Sequence, residues 1–128
     1  MSTLNVSNIT DGTTTVGTSY VVNGSAKAWV NFNGTGTIAI RDSINVASLV
    51  DNATGNYSVN YTSNMSADDY SVAGASDGSD TTTYMRNLEP AIIYSGSSTW
   101  KSAEAINGGT VLTVDKTGIY VTIHGDLA

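Results

Sequence analysis

Hydrophobic and polar positions alternate along most of the chain, most sharply between Gly24 and Arg41 (GSAKAWVNFNGTGTIAIR). Ala26, Ala28, Val30 and Phe32 fall on one side of an extended segment, and Lys27, Trp29 and Asn31 on the other. A two-residue period is the pattern of a strand with one apolar face. Asn33-Gly34-Thr35-Gly36 then supplies residues that accept positive φ, after which Ile38 and Ile40 resume the alternation. The stretch predicts a β-hairpin with Trp29 on its second face.

The same logic extends in both directions. Leu4–Gly12 reads as a strand closed by an Asp-Gly turn, and Ile44–Asn52 echoes its apolar spacing, which predicts two strands in comparable positions. Between them, Thr13–Ser19 is a polar connection, and Tyr20-Val21-Val22 leads through Asn23-Gly24 into the hairpin. Asn52–Gly55 is a turn, and Tyr57, Val59 and Tyr61 alternate with Ser58, Asn60 and Thr62. A loop at Asn64–Asp69, a strand at Tyr70–Gly74 and a turn at Asp77–Asp80 lead into Thr81–Asn87. Pro90 argues against a central-strand position, because proline has no N–H for a ladder. Trp100–Ile106 fits a strand better than one or two helical turns, and Asn107-Gly108-Gly109 turns the chain into Val111–Val114. In the last strand Ile119, Val121 and Ile123 face a core, while Tyr120, Thr122 and His124 face out.

Turn signals roughly every eight to twelve residues, with no long helical period, predict an all-β fold. The expected architecture is an antiparallel β-sandwich, jelly-roll-like, or a small barrel. It forms a single domain over residues 1–128, with 1–3 as a short flexible arm.

Composition sharpens this picture. Of 128 residues, 40% are apolar but only 12% charged, about half the usual share, and Ser, Thr, Asn and Gly fill the gap. That mixture suits short strands joined by polar turns and is poor in helix formers. The net charge is −6, and Lys27, Arg41, Arg86, Lys101 and Lys116 are scattered, so no basic patch is available to neutralise a phosphate backbone. Nucleic acid is excluded as an expected partner, and the apolar runs are too short for membrane insertion as helices. With no cysteine, neither disulfides nor thiolate metal sites enter. Met1-Ser2-Thr3 lacks the apolar core of a signal peptide, so the expected compartment of synthesis is a cytoplasm.

Candidate chemistry is sparse. A Ser-His-Asp triad would rest on His124, the single histidine, and no G-x-S-x-G elbow occurs. His124 reads as an exposed residue ending the last strand; a histidine ring on a trimer axis is the sharper alternative. Asp68-Asp69 and Asp77-Gly78-Ser79-Asp80 could offer oxygen ligands to Ca²⁺, but lack calcium-loop spacing and are explained by turn chemistry. Gly34 and Gly36 precede no helix and no Lys-Ser/Thr pair, so they do not form a phosphate cradle. The N-x-[ST] sequons, at Asn5, Asn33 and Asn60 among others, follow from composition. The expectation is a protein that is not an enzyme and takes no cofactor or metal.

The aromatics carry more weight. Tyr57, Tyr61 and Tyr70 are expected in the core or between sheets. Trp29 lies opposite Phe32 and needs cover. A second sheet would provide it, but a subunit interface is preferred because tryptophan is enriched among interface anchors, with Lys27 and Asn31 as companions. Trp100 reads equally as core filling or as a stacking platform for a ligand.

The segment Lys27-Ala28-Trp29-Val30-Asn31-Phe32-Asn33-Gly34-Thr35-Gly36-Thr37 leads on to Asn45-Val46 and Asp51-Asn52. Tyr57-Ser58-Val59-Asn60-Tyr61, Asp69-Tyr70-Ser71-Val72 and the closing strand into Gly125-Asp126 follow. Together these resemble the C-terminal domains of bacteriophage tail-fibre proteins, those of marine phages especially. The likeness runs from residue 4 to residue 126, and its specificity lies in the KAWVNFNGTGT core. The resemblance implies a virion structural protein, trimeric, displayed on a fibre or spike and touching the host surface, located in virions assembled in the host cytoplasm. Its expected partners are copies of itself, other virion proteins, and a host glycan or receptor. The chain starts at Met1 without a shaft or heptads, which fits an excised tip or a short head fibre or decoration protein. The alternative is a receptor- or glycan-binding tip acting through Asn64–Asp69, Ala75–Thr82 and Ser95–Trp100, with Asp68, Asp69, Asp77, Asp80 and Trp100 as contact candidates.

Overall fold

A computed structural model describes residues 1–77, 85–105 and 110–128. Of the expectations above, Asp80, the Gly78–Asp80 part of its turn, residues 81–84, Ile106 and the Asn107–Gly109 turn lie outside the described residues.

Two antiparallel sheets pack face to face. The smaller contains β3 (Ala28–Asn33), β4 (Ala39–Ile44), β7 (Ser71–Ser76) and β11 (Ile119–His124), in the order β4-β3-β11-β7. The larger contains β5 (Val46–Ala53), β6 (Asn56–Tyr61), β8 (Met85–Tyr94), β9 (Ser97–Ala105) and β10 (Val111–Thr113). Here β9 is central: it pairs with β8 along one side, and with β6 and then β10 along the other, while β5 extends the sheet beyond β6. Of the two expected all-β forms the sandwich is present, and among the described residues the sheets do not close into a barrel.

The alternation read from the sequence becomes the core. Ala28, Val30 and Phe32 of β3 and Ile119, Val121 and Ile123 of β11 line one wall. Tyr57, Val59 and Tyr61 of β6, Trp100 of β9 and Leu88 of β8 line the other, and Met65 and Tyr70 close the gap. Phe32 meets Tyr57 edge-on across the sheets at 5.3 Å between ring centroids, the geometry favoured by the ring quadrupoles. Trp100 is fully buried, and its ring fills the space left by Gly74 of β7, where a Cβ would stand 2.6 Å from it. That close approach requires glycine on a strand otherwise suited to Val or Thr.

The predicted hairpin is present as β3-β4, with Gly36 at φ 61° in its turn and a bulge where Arg41 is inserted opposite Asn31/Phe32. Pro90 sits in β8, which pairs with one neighbour only, beside a bulge between Pro90 and Ile92. Its missing N–H therefore costs no ladder bond. Free sheet edges can template pairing with other chains. The charged bulge of β4 and the proline bulge of β8 are devices that blunt such edges.

Two expectations are corrected. Leu4–Gly12 and Ile44–Asn52 do not hold comparable places. Only β1 (Asn8–Thr10) is strand in the first copy, paired with β2 (Thr15–Gly17) in a separate small sheet, whereas β5 belongs to the sandwich. And Thr18–Gly24, which includes Tyr20-Val21-Val22, is a helix, α1. The sequence has Tyr20-Val21-Val22 lead through Asn23-Gly24 into the hairpin, and adjacent valines are poor helix formers. Instead Thr18 pins the helix start, its hydroxyl donating to the Val6 (3.0 Å) and Ser7 (3.1 Å) carbonyls, and Asn23-Gly24 ends it.

Gly55 closes the β5-β6 turn at φ 63°. A Cβ there would lie 2.6 Å from the Ser102 carbonyl oxygen and 2.7 Å from the Val114 nitrogen, both backbone atoms. Gly55→Ala is expected to cost about 1–3 kcal/mol from left-handed strain and backbone displacement. Chemical denaturation would read it as a lowered midpoint, and an unchanged midpoint would refute this account of the turn.

Candidate assembly interface

Both outer faces of the sandwich mix polar and apolar side chains. On the larger sheet, Ser48, Ser58, Asn60 and Thr99 face out, and they bond to one another or to Asn52. The Asn52 amide donates to Ser58 Oγ at 2.9 Å, Ser58 and Thr99 hydroxyls are 3.1 Å apart, and the Asn60 amide donates to Ser48 Oγ at 3.1 Å. Val50, Ile92 and Tyr94 share this face and are exposed beside the hydroxyl and amide network.

On the smaller sheet the register aligns two rows of outward positions. Ile44, Trp29, Thr122 and Ala73 form one row across β4, β3, β11 and β7; Asp42, Asn31, Tyr120 and Ala75 form the next. Ile44 is 54% exposed and Tyr120 42%, Ala73 and Ala75 are open, and Trp29 is half-buried among them. Exposed apolar patches are where proteins commonly meet partners, which makes this face a candidate interface. Sequence reasoning placed Trp29 here but missed Ile44, Tyr120, Ala73 and Ala75. Their shared face depends on strand order, which alternation within single strands does not encode.

The companions of Trp29 have other duties. Lys27 Nζ donates to the Val22 carbonyl and, at 3.0 Å, to the Ser25 carbonyl, so its cation caps the C-terminal end of α1. Lys27 is thus a helix cap, beside the Trp29 face. Asn31 Oδ1 accepts from Arg41 Nη1 at 3.3 Å, which ties it to the β4 bulge.

A second apolar surface lies in residues 1–25. No residue there is buried; Gly17 and Thr18 are half-buried and the rest exposed. Leu4 is 84% and Tyr20 76% exposed, and Val6, Ile9, Val16, Val21 and Val22 are open as well. Leu4, Val6, Ile9, Val21 and Val22 line a groove of about 440 Å³ between the leading segment and α1. The helix packs on β2, and β2 on β1. A seven-residue helix and a two-stranded hairpin are each too small to be stable alone, so this module needs apolar cover to hold its shape.

The candidate ligand residues separate. Trp100 is in the core, its Nε1–H donating to Ser98 Oγ at 2.8 Å, so the indole is not open to stack on a ligand. The segment Ser95–Trp100 is a tight β8-β9 turn and strand rather than a binding loop. Asp68 and Asp69 are exposed beyond Met65. Asp77 Oδ2 accepts from the Thr117 hydroxyl at 2.7 Å, which fastens it to the β10-β11 connection. His124 is half-buried at the end of β11, in register with Ser71. Among the described residues no group of three or more His, Asp or Glu side chains could hold a metal, and no helix is long and apolar enough to cross a membrane.

The polar groups that do converge are internal. Asp115 Oδ1 accepts from the Gly55 N–H (2.6 Å) and from the Tyr57 hydroxyl (2.8 Å), which also lies 3.0 Å from the Gly34 carbonyl. Beside it, buried Lys116 pairs with Glu104. At the other end of the core, Tyr61 donates to Ser98 Oγ at 2.8 Å and lies 3.0 Å from the Tyr70 hydroxyl, itself 2.8 Å from the Tyr94 carbonyl. Desolvation raises the pKa of all three tyrosines, and the neighbouring Asp115 carboxylate adds to the effect at Tyr57. Each network joins loops to strands around a protonated phenol, which is structural work.

No protein-family model matches the chain, and neither a curated protein nor a solved structure matches it.

Proposed function

We propose that the chain is a structural subunit of a bacteriophage virion, a fibre, spike or head-decoration component that assembles with copies of itself as a trimer. One observation carries the reading: the outer face of the smaller sheet brings Trp29, Ile44, Tyr120, Ala73 and Ala75 together across four strands as an exposed apolar patch. Such a patch is exposed at a cost in a lone chain, whereas an oligomer covers it. The resemblance of residues 4–126 to tail-fibre domains supports the virion setting.

Light scattering on the purified chain tests the assembly. The expected mass is three times the 13.2 kDa chain, and a single-chain mass across the micromolar range would overturn the proposal. Particles purified from an infected culture should carry the chain at fixed stoichiometry, and its absence from them would overturn the virion assignment.

A further inference from the structure

We propose that Asn23 is a site of spontaneous covalent modification. The backbone nitrogen of Gly24 displaces its side-chain amide, and the resulting succinimide opens in water to aspartate and isoaspartate. The proposal does not depend on how the chain assembles.

The step needs no oxidant and no second protein. The Gly24 nitrogen loses its proton and bonds to Asn23 Cγ, the Cγ–Nδ2 bond breaks, and the amide nitrogen leaves as ammonia carrying that proton. Water then adds to one of the two ring carbonyls. Breaking the bond from Cγ to the Gly24 nitrogen gives aspartate, and breaking the original peptide bond gives isoaspartate. In sum, one amide and one water become one carboxylic acid and one ammonia.

Three conditions let the nitrogen reach Cγ. The following residue lacks a Cβ, the side-chain amide is not tied elsewhere, and the backbone between them can rotate. Two Asn-Gly pairs lie within the described residues, and both meet the first condition; a third, Asn107-Gly108, lies outside them. The other two conditions separate the pairs.

Asn33-Gly34, in the β3-β4 hairpin, is clamped. Asn33 Nδ2 donates to the Thr35 carbonyl at 2.7 Å, and its Oδ1 accepts from the Thr35 hydroxyl at 2.9 Å. The Gly34 N–H donates to the carbonyl of buried Lys116 at 2.8 Å, and Gly34 itself is buried against the Tyr57 hydroxyl. Rotation here would break the tie between the hairpin and the core.

Asn23-Gly24 is open. Both residues are exposed, and among the described residues no hydrogen bond engages the Asn23 side chain. Around Gly24 the space is empty to 4 Å from where a Cβ would stand. The pair closes α1, a seven-residue helix with no buried side chain. Such a helix frays readily, and fraying releases the Gly24 nitrogen for attack.

The location gives the reaction a structural consequence. Here the residue 1–25 module joins the sandwich: the Lys27 N–H donates to the Ile123 carbonyl at 2.8 Å, and its Nζ caps the Val22 and Ser25 carbonyls. Isoaspartate inserts a methylene into the main chain at that joint and shifts the carbonyls that Lys27 caps. The change loosens α1 and leaves the core as it was.

Peptide mapping by mass spectrometry, on full chain aged in mildly alkaline buffer, tests the proposal. Conversion of amide to acid is expected roughly ten-fold or more faster at Asn23 than at Asn33, equivalent to about 1.4 kcal/mol of difference in the barrier. Gly24→Ala places a methyl group in open space, and near-ultraviolet circular dichroism, dominated by buried Trp100 and the core tyrosines, checks that its sandwich is intact. This variant is expected to slow conversion at Asn23 several-fold. Equal rates at the two sites, or a faster rate at Asn33, overturn the proposal. Conversion at Asn23 that Gly24→Ala does not slow overturns the succinimide route.

Discussion

Trp100→Ala is expected to lower the unfolding free energy by about 3–5 kcal/mol, the range for removing a large aromatic from a packed core. Small domains have only about 5–15 kcal/mol in total. The indole is fully buried, donates to Ser98, and sits against Gly74 and Leu88 at the junction of both sheets. Truncation leaves a void that backbone on two sides cannot fill. Urea denaturation followed by tyrosine fluorescence measures the effect. Trp100→Phe should retain most of the packing, since Ser98 Oγ still accepts from Tyr61. A midpoint unchanged in Trp100→Ala would place the residue at the surface and revive its reading as a ligand platform.

The placement of Trp100 marks how far the sequence can be read. Where a strand has one wet and one dry face, as β3, β6 and β11 do, the period names the core residue by residue, and Val30, Phe32, Tyr57, Val59, Ile119 and Val121 are all buried. In β9 the inward positions are Ser98, Trp100 and Ser102, two hydroxyls flanking one indole, so the polarity pattern carries no sign of which face is inside. Only the pairing of Trp100 with Tyr57, and of Ser98 with Val59, settles it. The hydroxyl of Ser98 is tolerated there because an indole and a phenol both donate to it.

The N-terminal module was illegible for a different reason. Tyr20-Val21-Val22 has strong strand propensity, and local propensity loses when Thr18 anchors the backbone at one end and Lys27 satisfies carbonyls at the other. Both anchors are contacts with residues outside the helix, and the Val6 and Ser7 carbonyls lie 11–12 residues before Thr18, beyond the reach of local propensity. The same holds for the Trp29 face. Trp29 announces itself, but Ile44, Tyr120, Ala73 and Ala75 join it only through a strand order that brings β11 between β3 and β7. Faces assembled across strands distant in sequence are invisible to periodicity and plain in the register.

Alkaline pH should unfold the protein steeply, with stability lost from about pH 10 upward. An unfolded chain ionises its tyrosines near 10. In the native sandwich, burial raises the pKa of Tyr57, Tyr61 and Tyr70. The Asp115 carboxylate further opposes a phenolate at Tyr57, and the hydrogen bond to Tyr61 opposes one at Tyr70. Above pH 10 the unfolded chain therefore holds fewer protons than the native one, so the unfolding free energy falls as pH rises; below pH 10 the contribution is complete and flat. Each phenol held neutral removes up to about 1.4 kcal/mol per pH unit, so the three together remove up to about 4. Denaturation midpoints taken at half-unit steps from pH 8 to 12 give the slope. Tyr57→Phe should cost about 1 kcal/mol at neutral pH through its lost hydrogen bonds, yet show a shallower alkaline slope, because one titrating phenol is gone. A variant that loses stability at neutral pH but keeps the full slope would show that Tyr57 ionises freely in the native state, and the Asp115 network would then have to be redrawn.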